Sequence, residues 1–120
     1  MSVRVFFSLA CLMMASGVGV AALAAHAGAG RELATASSLL VANAPMLGAA
    51  SIAFPSRYLR PVTGRLGWVV AFVGTVLFSA DMMSRGLGYG AIFPDAAPIG
   101  GSMDILGWLV VALSVIFRRN

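Results

Sequence analysis

Charged and titratable side chains are scarce enough in this sequence that each one can be weighed. It holds four carboxylates, Glu32, Asp81, Asp95 and Asp104, one histidine, His26, and eight basic residues, all arginine. Asp81 and Arg85 are four residues apart, so a helix would place them on one face with the acid N-terminal to the base, the favoured order for an ion pair. Asp104 is expected in the first turn of a helix, where a carboxylate offsets the positive end of the macrodipole and Ser102 could act as N-cap. His26, Arg31 and Glu32 fall between two earlier apolar runs on the same side. Together His26, Arg31, Glu32, Asp81, Arg85 and Asp104 form a candidate polar cluster. Such groups at membrane depth are costly and point to proton transfer, ion passage or polar ligand binding. Our first reading is instead a structural network, because each group has a partner or a helix-end role.

Signatures of catalysis are missing. The sequence has no Walker A pattern, no HExxH, no GxSxG and no GxGxxG, and its GLGYG stretch has the wrong spacing for a dinucleotide fingerprint. Ser79 and Asp81, and Ser102 and Asp104, are close in sequence, but without an activating base they are weak evidence for hydrolysis. The single Cys11 and single His26 cannot build a CxxC-type or histidine-rich metal site. We therefore expect no enzyme, no cofactor and no metal.

The elements that must position these groups are set by composition. Of 120 residues, 60% are hydrophobic and 10% charged, against roughly 25% charged in soluble domains. A water-soluble domain is excluded. The net charge of +4 would suggest nucleic acid in a soluble protein. Here the arginines stand singly or in short groups between apolar runs, without a basic stripe or aromatic platform. The expected partner is the lipid bilayer, not nucleic acid.

Two runs free of acid and arginine predict helices at about 5–29 and 33–56, and two further apolar runs predict helices at about 66–85 and, taking in Asp104, at 101–117. The third reaches spanning length only by continuing through Asp81 to Arg85. The stretch 86–101, rich in glycine with two prolines, reads as a loop. The predicted fold is all-α, an integral membrane four-helix bundle. Six arginines (Arg4, Arg57, Arg60, Arg65, Arg118, Arg119) fall on one side and two (Arg31, Arg85) on the other, so both termini are expected in the cytoplasm. The first thirty residues resemble a secretory signal, with small residues around His26. Their apolar run exceeds the roughly 7–15 residues of such signals, so the segment is expected to be retained as a helix.

Lipid tails are as apolar as leucine, so membrane helices associate through close packing, for which small residues leave room. Gly17, Ala21 and Ala25 repeat at four-residue spacing in the first helix, as do Gly67, Ala71, Thr75 and Ser79 in the third. Both stripes are expected to be packing seams. Pro45 removes a backbone donor and predicts a bend near the middle of the second helix. Asn43 is placed to satisfy a freed backbone group or to bond a neighbouring helix.

The landmarks AAHAG, then GTVLFSAD, then FPDAAPIGGSMDILGWL, run over nearly the whole chain. In their order they resemble the YgdD-like family of small bacterial inner-membrane proteins of unknown function. Leu77-Phe78-Ser79, Ala97-Pro98-Ile99-Gly100-Gly101 and Gly107-Trp108 carry the most specific part of that resemblance. Ala24 and Ala25 stand where Gly-Ala is usual before the family's histidine, and Asn43 stands near a position where many relatives carry histidine. The resemblance implies four helices and brings no substrate or reaction. The expected role is an accessory or scaffolding subunit of a larger inner-membrane assembly, with other membrane subunits or further copies of the chain as partners. The alternative is a small oligomeric transporter or channel that uses the polar cluster.

Overall fold

The computed structural model describes residues 2–26, 30–56 and 59–117. Four helices follow one another: α1 (Val3–His26), α2 (Gly30–Ala53), α3 (Pro61–Gly86) and α4 (Ala96–Ile116). No strand occurs among the described residues. At about 1.5 Å per residue these helices are roughly 30–40 Å long, matching a hydrocarbon layer of about 30 Å. All four are long and apolar enough to cross a membrane. The chain is a multi-pass membrane protein built as a four-helix bundle.

Two helix starts come five residues before the sequence expectation. α3 begins at Pro61 rather than near residue 66, because proline at the first helical position loses nothing by having no N–H. α4 begins at Ala96 rather than 101. Pro98 lies within its first turn, where backbone donors have no intrahelical acceptor anyway. The loop is thus only 87–95, and it turns through the positive φ of Gly88 (90°) and Gly90 (75°). Ser84 Oγ donates to the Gly90 carbonyl at 2.7 Å, tying the loop back to α3. The predicted end of the first helix, at residues 27–29, lies outside the described residues.

Helix backbones pack closely only as consecutive pairs, α1 on α2, α2 on α3 and α3 on α4. Longer side chains reach from α1 to α3. Phe6 of α1 meets Phe54 and Trp68 edge-on, with ring centroids 4.9 and 4.7 Å apart. Trp68 stacks on Phe72 at 5.1 Å, and its indole N–H donates to the Leu47 carbonyl at 2.7 Å. Arg60 Nε donates to the Phe117 carbonyl at 3.1 Å. These contacts gather the start of α1, the end of α2, the start of α3 and the end of α4 at one end of the bundle.

The α3–α4 seam is backbone against backbone. A Cβ on Gly74 would come within 2.5 Å of the Asp104 nitrogen, one on Gly100 within 2.6 Å of the Phe78 nitrogen, and one on Gly67 within 2.8 Å of the Gly107 carbonyl oxygen. Gly107 faces the Ala71 backbone directly. Close approach of this kind replaces the hydrophobic effect as the source of helix association in lipid.

Candidate functional site

At the end of the bundle away from the chain termini, Asp81 lies five residues before the end of α3 and is fully buried. Arg85 Nε donates to its Oδ2 at 2.9 Å, across the i,i+4 spacing. The backbone N–H of Ile92, in the loop, donates to Oδ1 at 3.0 Å. Both carboxylate oxygens are engaged, while the Arg85 side chain remains 42% exposed. This pair pins the α3–α4 loop onto α3.

The other charged residues expected in the cluster make no ion pair with it. Arg31 and Glu32 are exposed in the first turn of α2, where Gly86 abuts the stem of Glu32, and His26 is exposed at the last residue of α1. Among the described residues, Asp81–Arg85 is the one ion pair. Asp104 is elsewhere. The expectation of a first-turn carboxylate capped by Ser102 is corrected by the earlier start of α4: Asp95, with φ of 64°, precedes the helix, and Ser102 is inside it. As the ninth residue of α4, Asp104 stands about 12 Å along an axis of about 30 Å, near mid-membrane.

At that depth Asp104 belongs to a second polar group, drawn from three helices. Thr75 of α3, Asn43 of α2 and Trp108 of α4 stand beside its carboxyl. The Thr75 hydroxyl donates to the Ala71 carbonyl at 2.8 Å, the Trp108 indole N–H to Asn43 Oδ1 at 2.6 Å, and Asn43 Nδ2 to the Leu39 carbonyl at 2.9 Å. Threonine and tryptophan each have one side-chain proton to give, and both are committed. Asp104 is 7% exposed, and its Oδ1 is buried without a hydrogen-bond partner. It lines a groove of about 590 Å³ between α2 and α4, with Asn43, Met46, Trp108, Val111 and Val115.

Two further buried polar atoms lack partners, Ser79 Oγ and Arg65 Nε. Ser79 lines an apolar groove of about 370 Å³ between α1 and α3. Arg65 lies over the Phe54 ring at 5.5 Å, a cation–π distance. Among the described residues, no three His, Cys, Asp or Glu side chains are grouped as a metal site would need.

The small-residue stripes fare differently. Gly67, Ala71, Thr75 and Ser79 are all buried. Gly17 is buried against Leu40 and Val41, with its carbonyl accepting from Ser37 Oγ at 3.1 Å. Ala21 and Ala25 are exposed, so they form no seam within this chain. α1 leans on α2 through its first two-thirds and leaves its last turns uncovered. Pro45 sits inside a continuous α2. The Asn43 carboxamide does not reach Val41, whose carbonyl the proline frees. It bonds Leu39 in its own helix and Trp108 in α4.

Sequence reasoning missed Trp108 and Thr75 as neighbours of Asp104. A signal was present: Gly100, Asp104, Gly107 and Val111 recur at spacings of four, three and four, which places the carboxylate on the same face as the packing glycines. Comparison with protein-family models, with curated proteins and with solved structures finds no match.

Proposed function

We propose that this membrane protein is a nonenzymatic accessory or scaffolding subunit of a larger assembly in a bacterial inner membrane, of the YgdD-like kind. The observation that carries this reading is the exposed small-residue surface towards the C-terminal end of α1, beside the buried Gly17 and Val20. There Gly19, Ala21, Ala22 and Ala25 are exposed, and a Cβ on Gly19 would meet nothing within 4 Å. A helix of another subunit, or of a second copy, fits such a surface because its backbone can approach closely. The arginine distribution supports a cytoplasmic position for both chain ends. Arg4, Arg60 and Arg65 lie at the end where the termini gather, and Arg57, Arg118 and Arg119 lie outside the described residues.

Purification in mild detergent with mass spectrometry of co-purifying chains tests the proposal. The wild type is expected to carry stoichiometric partners or further copies, and the double variant Ala21→Leu, Ala25→Leu to lose them while remaining helical and monodisperse. A wild type that is monomeric and alone would refute it.

The second reading, a small oligomeric transporter, is favoured by one observation, the unpartnered carboxyl oxygen of Asp104. Asp81 and Arg85 give it no support because they neutralise each other. Flux into liposomes that disappears in Asp104→Asn, with the fold retained, would establish that reading.

A further inference from the structure

We propose that the groove between α2 and α4 is a lipid-accessible binding site for a hydrophobic cation, an amphiphile with a positively charged head and an apolar body, with Asp104 as its anionic anchor. Four observations converge on this chemistry, and none depends on whether the chain also acts as a scaffold.

The first is the carboxyl itself. Asp104 is more than nine-tenths buried near the middle of a membrane span, with one oxygen unpartnered. A carboxylate in hydrocarbon needs a counter-charge or a proton. The second is what surrounds it. α3 presents Gly74 and Thr75, α2 presents Asn43 and α4 presents Trp108. None of these titrates or carries charge. The only ion pair among the described residues involves the other buried aspartate. Within the described residues, then, no positive charge is placed to compensate Asp104.

The third is the aromatic ring. Trp108 lines the same groove with its N–H fixed on Asn43 Oδ1, and an indole face is the best of the natural cation–π surfaces. The fourth is the groove's size and walls. About 590 Å³ opens along α2 and α4, with Met46, Val111 and Val115 as apolar lining, enough for the body of a drug-sized molecule. A bound cation and a bound proton would compete for one carboxyl, so binding should weaken as pH falls.

The test uses the full chain in detergent micelles with tetraphenylphosphonium as probe and tetraphenylborate, of like size and opposite charge, as control. Saturable binding of the phosphonium alone is expected, weakening towards low pH. Asp104→Asn should bind roughly thirtyfold or more weakly, as expected on losing one partner of a buried charge pair. Glu32→Gln, at the exposed end of α2, should bind like the wild type. If Asp104→Asn fails to fold, the wild type still decides. Dicyclohexylcarbodiimide adds to buried protonated carboxyls, and saturating phosphonium should protect Asp104 from that addition in a peptide mass map. No saturable phosphonium binding, equal binding of the borate, unchanged affinity in Asp104→Asn, or labelling of Asp104 unaffected by the probe would each overturn the proposal. Loss of a partner subunit on mutating α1 would leave it untouched, which separates it from the scaffold reading.

Discussion

Asp81 and Asp104 are both buried carboxylates in adjacent membrane helices, and they have been given opposite surroundings. Asp81 has an arginine one turn away and a loop N–H on its other oxygen. Asp104 has polar neighbours, of which Thr75 and Trp108 direct their donors to other acceptors. The first arrangement is closed and holds a loop in place. The second leaves a buried carboxyl oxygen without a partner. Burial alone would have ranked the two alike, so the bookkeeping of donors and acceptors distinguishes structure from candidate function.

Five substitutions would break or sharpen this contrast, all measured by denaturation in detergent micelles followed by circular dichroism. Arg85→Met should be the most damaging, because it leaves the fully buried Asp81 charge with one backbone N–H. We expect the lower end of about 3–5 kcal/mol, the range for orphaning a buried ion, since Arg85 is itself partly exposed. Asp81→Asn should cost less, as the amide oxygen can still accept from Ile92. Equal losses in the two variants would erase the distinction between a pinned and an open carboxylate. Gly107→Ala should cost about 1–3 kcal/mol by pressing a methyl into the Ala71 backbone, and should shift Asp104 with it.

Trp108→Phe removes the indole donor and should cost about 1 kcal/mol. It should also loosen α2 from α4, visible as faster hydrogen exchange around Asn43. The smallest effect is expected for Asp104→Asn, within about 0.5 kcal/mol of the wild type or slightly stabilising, because the carboxylate makes no ion pair to lose. A loss as large as that of Arg85→Met would mean that Asp104 is a structural residue after all.

The number of helices was legible in the sequence because apolar runs of spanning length, two of them holding only a few charged residues, have one solution in a bilayer. The start of α4 was not. Pro98, Gly100 and Gly101 read locally as a loop, yet Gly100 is helical because Phe78 of α3 needs its bare backbone. Tertiary packing overrode propensity there. That five-residue difference moved Asp104 about 8 Å deeper along the axis and detached it from the cluster at the helix ends. The Asp81–Arg85 pair was readable because it is local. The bond from Trp108 to Asn43 joins residues 65 apart, and no local pattern announces it. The exposure of Ala21 and Ala25 was equally invisible, since a small-residue stripe does not reveal whether its partner is internal.

The bare contacts of Gly67, Gly74, Gly100 and Gly107 have a consequence for how this gene can vary. Every single-base change of a glycine codon that alters the amino acid adds at least a methyl, and at these four sites even a methyl intrudes on the facing helix. A saturation library selected for intact protein should therefore return one letter at these sites. Gly19, where an added methyl would meet nothing within 4 Å in this chain, should by comparison accept alanine without loss of the fold.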